Sequence, residues 1–355
     1  MPRYASLSVL AAALASGGAN AAGTDVSFNV YGDVDYHVEH AGRTTHSFAA
    51  PRLDLFPSGS NGRFSFLGEI VFEAGKDNNF AVDVERIEAA WSFADWLRVR
   101  AGRFHTAFGY YNDAFHHGNY FQLPVERPSW VNFEDSGGLI PAHSVGVHLD
   151  GRINAGGAGA FRYDLDIANG RGATLNTVQS RIDIGVPKEL NFRLRFEPAF
   201  LPGLVIGGNA FYSHITANDD PSLVVPIPQM RELIFGAHAA YQEGPLRFIA
   251  EAALFQHQVI GGSGATFSTT AALFEAGYAV GEFTPYLLVV RVNLDGGDAY
   301  FANSAGGEEG SFTKVRAGLK WIVNDNLALK LEAGHNSLDT GTDITSLAAQ
   351  AAFAY

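Results

Sequence analysis

His105, His116, His117 and His143 stand in or beside one stretch of chain that also carries Asp113, Glu126, Glu134 and Asp135, and imidazole with carboxylate is a donor set that zinc accepts. The spacing argues against a metal. His116 and His117 are adjacent, so in extended backbone they point apart, and the chain has no HExxH spacing that would stack two imidazoles on one helix face. Such histidines serve as hydrogen-bonding groups and as charges that respond to pH. Asp219 with Asp220, Asp295 with Asp298 and Glu308 with Glu309 offer oxygens to Ca²⁺, but not in the order of an EF-hand loop, and they read as a solvated acidic rim. No metal and no cofactor is expected.

Catalysis needs a nucleophile held by an oriented base. No GxSxG or comparable signature is present, and His148 and Asp150, two apart, suit a polar wall better than a dyad. With 0 Cys, thiol chemistry, disulfides and Cys-ligated metal are excluded. The chain is therefore not read as an enzyme. Its net charge of -13 excludes nucleic-acid binding, which needs a basic face.

The remaining charges recur at a spacing of two. Arg98 and Arg100 alternate with Leu97 and Val99, and Arg162, Asp164 and Asp166 alternate with Phe161, Tyr163, Leu165 and Ile167. Arg193 and Arg195 alternate with Phe192, Leu194 and Phe196; Lys314, Arg316 and Lys320 stand against Val315, Leu319 and Trp321. Glu69, Glu73, Asp83 and Glu85 are the acidic counterpart. Period two is the signature of a strand with one polar and one apolar face. If the apolar face meets lipid, each Arg or Lys misplaced onto it costs about 2–4 kcal/mol near the bilayer midplane.

Sixteen such segments can be placed, near 25–37, 48–57, 63–74, 80–92, 96–104, 142–152, 158–168, 189–198, 203–214, 230–242, 245–257, 265–279, 282–292, 311–322, 326–336 and 343–355. Links after even segments are tight, such as Pro202-Gly203 and Glu243-Gly244, and links after odd segments are generally longer, such as 169–188 and 295–310. A short rim and a long rim are what an up-and-down membrane barrel has. Mean hydropathy of +0.02 does not oppose this, because a polar lumen and an apolar lipid face average out. Forty Gly, 27 Phe and 13 Tyr against 2 Met fit strands, turns and aromatic girdles. The expected fold class is all-β, a transmembrane antiparallel β-barrel of about sixteen strands.

Residues 1–21 read as a cleaved signal peptide: Arg3, an apolar run from Ala5 to Ala15, and Ala19-Asn20-Ala21 as a small-x-small cleavage site. At the other end, Leu347, Ala349, Ala351, Phe353 and Tyr355 share one face. That apolar strand closing on an aromatic residue resembles the last strand of bacterial outer-membrane β-barrels, where it serves as an assembly signal. An even strand count puts both termini on the periplasmic side, with 22–355 forming the barrel.

The longest irregular stretch, 105–141, is the third external connection, and loops of this length are usually functional or disordered. Phe108, Tyr110, Tyr111, Phe115, Tyr120, Phe121, Trp130, Phe133, Leu139 and Ile140 give it surface to pack against the barrel wall. Ala101-Gly102-Arg103-Phe104 with Phe108-Gly109, then Glu126-Arg127-Pro128 and the stretch Pro141 to Gly146, resemble the corresponding region of outer-membrane porins of the phosphate-selective type. Those members carry lysine-rich loops that this chain lacks, so phosphate selectivity is not carried over.

The resemblance implies a trimeric outer-membrane porin with the third loop folded into the lumen. Asp113, Glu126, Glu134 and Asp135, beside Arg127, would then oppose Arg98, Arg100, Arg193 and Arg195 across the constriction. Its expected surroundings are outer-membrane lipid and lipopolysaccharide, the barrel assembly machinery, two further copies of the chain, and ions or small hydrophilic solutes. The alternatives are a substrate-specific uptake channel with an aromatic slide of Tyr110, Tyr111, Tyr120 and Trp130, a non-conducting structural barrel, or a barrel enzyme.

Overall fold

Each of the alternating segments becomes a strand. The computed structural model describes residues 25–50, 52–74, 80–115, 118–134, 136–175, 188–303 and 310–355; the expected signal peptide lies outside them. The strands are β1 (Asp25–Ala41), β2 (Arg43–Ala49), β3 (Arg52–Asn61), β4 (Phe64–Ala74), β5 (Phe80–Ala94), β6 (Leu97–His105), β7 (His143–Asn154), β8 (Gly159–Ala168) and β9 (Glu189–Pro198). They continue as β10 (Leu204–Ile215), β11 (Met230–Glu243), β12 (Leu246–Val259), β13 (Thr266–Tyr278), β14 (Phe283–Asn293), β15 (Phe312–Asn324), β16 (Leu327–Leu338) and β17 (Ile344–Ala354). No helix among the described residues is long and apolar enough to cross a membrane.

From β3 onward each strand pairs antiparallel with the next, and β17 returns to β1 with Tyr31 opposite Ala354 and His40 opposite Thr345. No edge is left open, which is how a sheet can expose neither N–H nor C=O groups to lipid. β2 and β3 both pair with β1, its outer half and its first half respectively. They act as two pieces of one wall position, so the closed barrel has sixteen strands and one extra segment. The first link differs from expectation: β1 runs on to Ala41 and turns through Gly42 at φ 71°, a left-handed conformation that glycine adopts without strain.

The two faces reverse the pattern of a water-soluble protein. On β9, Phe192 is 47% exposed while its neighbour Arg193 is 1% exposed. Val34, Leu194, Leu319 and Leu347 are likewise exposed, and Asp33, Asp164, Lys320 and Gln350 buried. Trp91, Phe93, Trp96, Phe161, Phe200, Tyr278, Phe283, Trp321 and Tyr355 are exposed near the short-turn rim, where aromatic rings suit the membrane–water interface.

The inner face is not polar throughout. Ile234 on β11, Ile249 and Phe255 on β12, Leu273 on β13, and Leu288, Val290 and Val292 on β14 are buried there. They form one apolar cluster with Phe108, Tyr111, Phe115, Trp130, Val131, Leu139 and Ile140 of the segment between β6 and β7. An apolar inner arc is stable because that segment keeps water from it.

Candidate functional site

The segment between β6 and β7 has little secondary structure of its own, a helical turn at Tyr111–Ala114 and a 3₁₀ turn at Ser129–Val131. Its backbone groups therefore need other partners, and side chains of the wall supply many of them. Asn191 donates to Ala107 O at 2.9 Å, Asn209 accepts from Gly109 N at 3.3 Å, and Glu251 accepts from Tyr110 N at 2.9 Å and Tyr111 N at 2.5 Å. Gly109 is required there: its φ is 61°, and a Cβ would stand 2.2 Å from Glu251 Oε2.

Further along, Lys320 reaches Tyr120 O, and Gln122 O at 3.3 Å. Lys330 reaches Asn119 O at 2.5 Å and Pro124 O at 2.9 Å. Glu332 accepts from Val125 N at 3.2 Å, and Gln350 donates to Val125 O at 3.3 Å. These partners stand on β9, β10, β12, β15, β16 and β17.

Facing the segment is an arc of paired charges. Arg98 and Arg100 share Asp150 at 3.0–3.1 Å, and Arg100 also meets Glu88 at 3.2 Å and His148 at 2.5 Å. Arg193 holds Asp164 at 2.9 Å, Gly109 O at 2.8 Å, and Asp113. Arg195 shares Asp164 at 3.0 Å. Arg86 pairs with Glu69, and Arg103 lies 3.4–3.5 Å from Glu85 and Asp83. A cavity of about 100 Å³ opens among Arg86, Arg100, His105, Asp113 and His148.

Of the residues expected at a constriction, Asp113, Arg98, Arg100, Arg193 and Arg195 come together here. The others do not join them. Glu126 pairs with Arg316 at 2.6 Å, with His37 at 3.9 Å. Its side chain is half open to solvent although protein surrounds it; that setting alone would raise the carboxyl, but Arg316 and His37 hold it below the usual range.

Arg127 is buried rather than lining an opening. It binds Val131 O at 2.7 Å and Phe115 O, and lies 4.7 Å over Phe133 and 5.6 Å over Tyr111. It staples the segment to itself, and burial pulls its guanidinium down to about 10. Asp135, His116 and His117 lie outside the described residues. His105, expected beside the loop, joins this site, and so do Arg86 and His148, which the sequence pattern does not place here. Arg86 follows a register shift between Glu69 and Ile70, where Glu85 is the extra residue of the ladder, and the consecutive charges Glu85-Arg86 were the visible sign of that bulge. Among the described residues no group of three or more His, Cys, Asp or Glu is arranged to hold a metal ion.

Glu134 is buried too and bonds outside that arginine cluster. It accepts from Ala142 N at 2.6 Å and His143 N at 3.0 Å, and lies 3.3 Å from His143 Nδ1. Burial would raise this carboxyl, but His143 and the backbone donors outweigh burial and hold it below the usual carboxylate range. A carboxyl depressed on folding stabilises the fold above its unfolded value and loses that contribution as pH falls through the lower folded value. The Ala142 and His143 amides are therefore expected to keep hydrogen-exchange protection until the pH drops below about 4, whereas Glu134→Gln should lower it already at neutral pH.

No protein-family model and no curated protein matches the sequence. Solved structures do resemble the fold. The trimer form of OmpT, an outer membrane protein of Vibrio cholerae, aligns at TM-score 0.60 with 11% identity over 94% of this chain and 100% of that one. Salmonella typhi OmpF in complex with daunomycin aligns at 0.61 with 13% identity over 94% and 98%. The outer membrane channel DcaP of Acinetobacter baumannii aligns at 0.59 with 12% identity over 94% and 98%. At these identities the likeness concerns architecture alone, and by architecture this chain has the fold of the outer-membrane porins.

Proposed function

We propose that the chain forms a water-filled outer-membrane channel for passive diffusion of ions and small hydrophilic solutes, narrowed by segment 105–141 folded into the lumen. The observation that carries this reading is where the segment is anchored. It bonds to Asn191, Arg193 and Asn209 on β9 and β10 and to Lys320, Lys330 and Glu332 on β15 and β16. Those arcs lie across a closed wall from each other, so a segment reaching both runs through the interior. Arg98, Arg100, Arg195 and Asp113 keep part of their surface solvent-accessible, and fixed charges of both signs beside water bias and orient what passes. Sixteen strands enclose enough room for an aqueous path beside such a segment.

Export by the leader at 1–21, assembly in the outer membrane amid lipopolysaccharide, and trimerisation as in the trimer form of OmpT belong to the same proposal. So does the absence of a catalytic role. An aromatic slide is less favoured: Tyr111 and Trp130 are buried in the apolar cluster, leaving Tyr110 and Tyr120 as the partly exposed rings of that set.

The purified protein in planar bilayers is expected to give discrete conductance steps in KCl. Removing 112–134 should raise the unit step. An absence of steps would refute the channel, and an unchanged step after deletion would refute the constriction.

A further inference from the structure

The cavity beside Asp113 has two unfilled bonding positions of opposite charge. Arg86 is held at Nε by Glu69, with its guanidinium 5.5 Å over the Phe56 ring. Among the described residues its two terminal nitrogens have no protein acceptor, and neither is a buried orphan. Asp113 Oδ2 accepts from Arg193, while among the described residues Oδ1 has no protein donor and the side chain is one-third exposed. Both residues line the same cavity of about 100 Å³.

The other lining groups supply field rather than free bonds. Arg100 spends its nitrogens on Asp150, Glu88 and His148, and His148 Nδ1 lies 2.5 Å from Asp166. His105 faces Glu69 at 3.5 Å.

Resting on the channel reading, we infer that this cavity is a binding subsite for a small zwitterion of the α-amino-acid class. The solute carboxylate takes the two terminal nitrogens of Arg86 in the planar fork that guanidinium offers, and its ammonium donates to Asp113 Oδ1. A lone anion meets Asp113 unfavourably, and a lone cation meets Arg86 and Arg100. Only a solute bearing both charges a few bonds apart satisfies both positions. The cavity has room for several waters, which admits a small α-amino acid.

Glycine is the probe. Added to the purified protein in planar bilayers, it should reduce the KCl current saturably, at concentrations about tenfold or more below those at which acetate or methylammonium does so. Asp113→Asn and Arg86→Gln should each weaken the glycine effect about tenfold. Because Arg86→Gln also takes the guanidinium away from buried Glu69, Arg86→Lys, which keeps the charge without the fork, is run beside it and should fall between. Wild-type steps with a glycine effect no stronger than that of acetate or methylammonium, or one unchanged by Asp113→Asn, overturn the subsite and leave the channel standing. If no steps occur, the channel reading fails, and saturation-transfer NMR of glycine with the detergent-solubilised protein decides the subsite. Binding lost in Asp113→Asn sustains it; absent or unaltered binding overturns it.

Discussion

A chain lacking Phe353, Ala354 and Tyr355 is expected to form no closed, denaturation-resistant barrel, the largest effect that so small a change produces here. Val30 N–H donates to Tyr355 O at 2.7 Å and Val30 O accepts from Tyr355 N at 2.8 Å. Ala354 N donates to Asn326 O at 3.0 Å, and Asn326 Nδ2 returns a bond to Ala354 O at 2.5 Å. Removal therefore orphans both backbone groups of Val30 and the carbonyl of Asn326. Each hydrogen bond lost at this half-buried rim costs about 0.5–1.5 kcal/mol net, and a whole domain is stable by only about 5–15 kcal/mol.

The seam is also shaped for the residues removed. Phe353 lies over Gly32, where a Cβ would come within 2.4 Å of its ring. Loss of the ring leaves a gap at the lipid-facing junction of first and last strands. Heat-modifiable electrophoretic mobility after membrane isolation, compared with intact protein and with Tyr355→Ala, measures the effect. A truncated protein that inserts and still resists denaturation refutes the account.

The wall was legible because each residue choice is forced twice. On β6, Arg98 and Arg100 fit only the inner face and Val99 only the outer, so period two fixes both the strand and the side each residue takes. The same rule failed where the backbone departs from regular pleating. The bulge at Glu85 puts Arg86 beside another charge, and the second wall strand is cut between Ala49 and Arg52.

Within segment 105–141 no period constrains the path. Nothing in the sequence told the fates of Arg127 and Asp113 apart, both charges in an aromatic loop, and one became an internal staple while the other met Arg193. The apolar inner faces of β13 and β14 were hidden for a related reason. An alternating strand shows two classes of position, but Leu288, Val290 and Val292 are apolar on the inner side as Leu287 and Val289 are on the outer, and only the segment packed on them says why.

Replacing Lys320 and Lys330 together by Met is expected to free the segment while leaving the barrel folded. The stretch 119–125 is neither helix nor strand, and its carbonyls at Asn119, Tyr120, Gln122 and Pro124 end on these two ammonium groups. Both lysines are buried, on neighbouring strands whose residues 320 and 330 stand directly opposite. Met retains a long apolar stem and fills the space, so the loss is confined to the charged donors. A buried carbonyl left without its donor costs about 1–3 kcal/mol, so each lysine removed should raise the detached population about 5- to 100-fold.

Detachment is expected on one side only. Glu251, Asn209 and Arg193 still hold the other end, Glu332, Gln350 and Arg316 keep a looser hold at Val125 and Glu126, and the backbone ladder of β15 with β16 is untouched. The segment should then swing about its β9–β12 anchors, and single-channel records should show a higher mean conductance with added noise, at unchanged heat resistance of the barrel. Equal conductance and equal noise in the double variant would mean that the lysines merely fill space, and that the apolar cluster around Trp130 and the remaining wall bonds hold the segment in place.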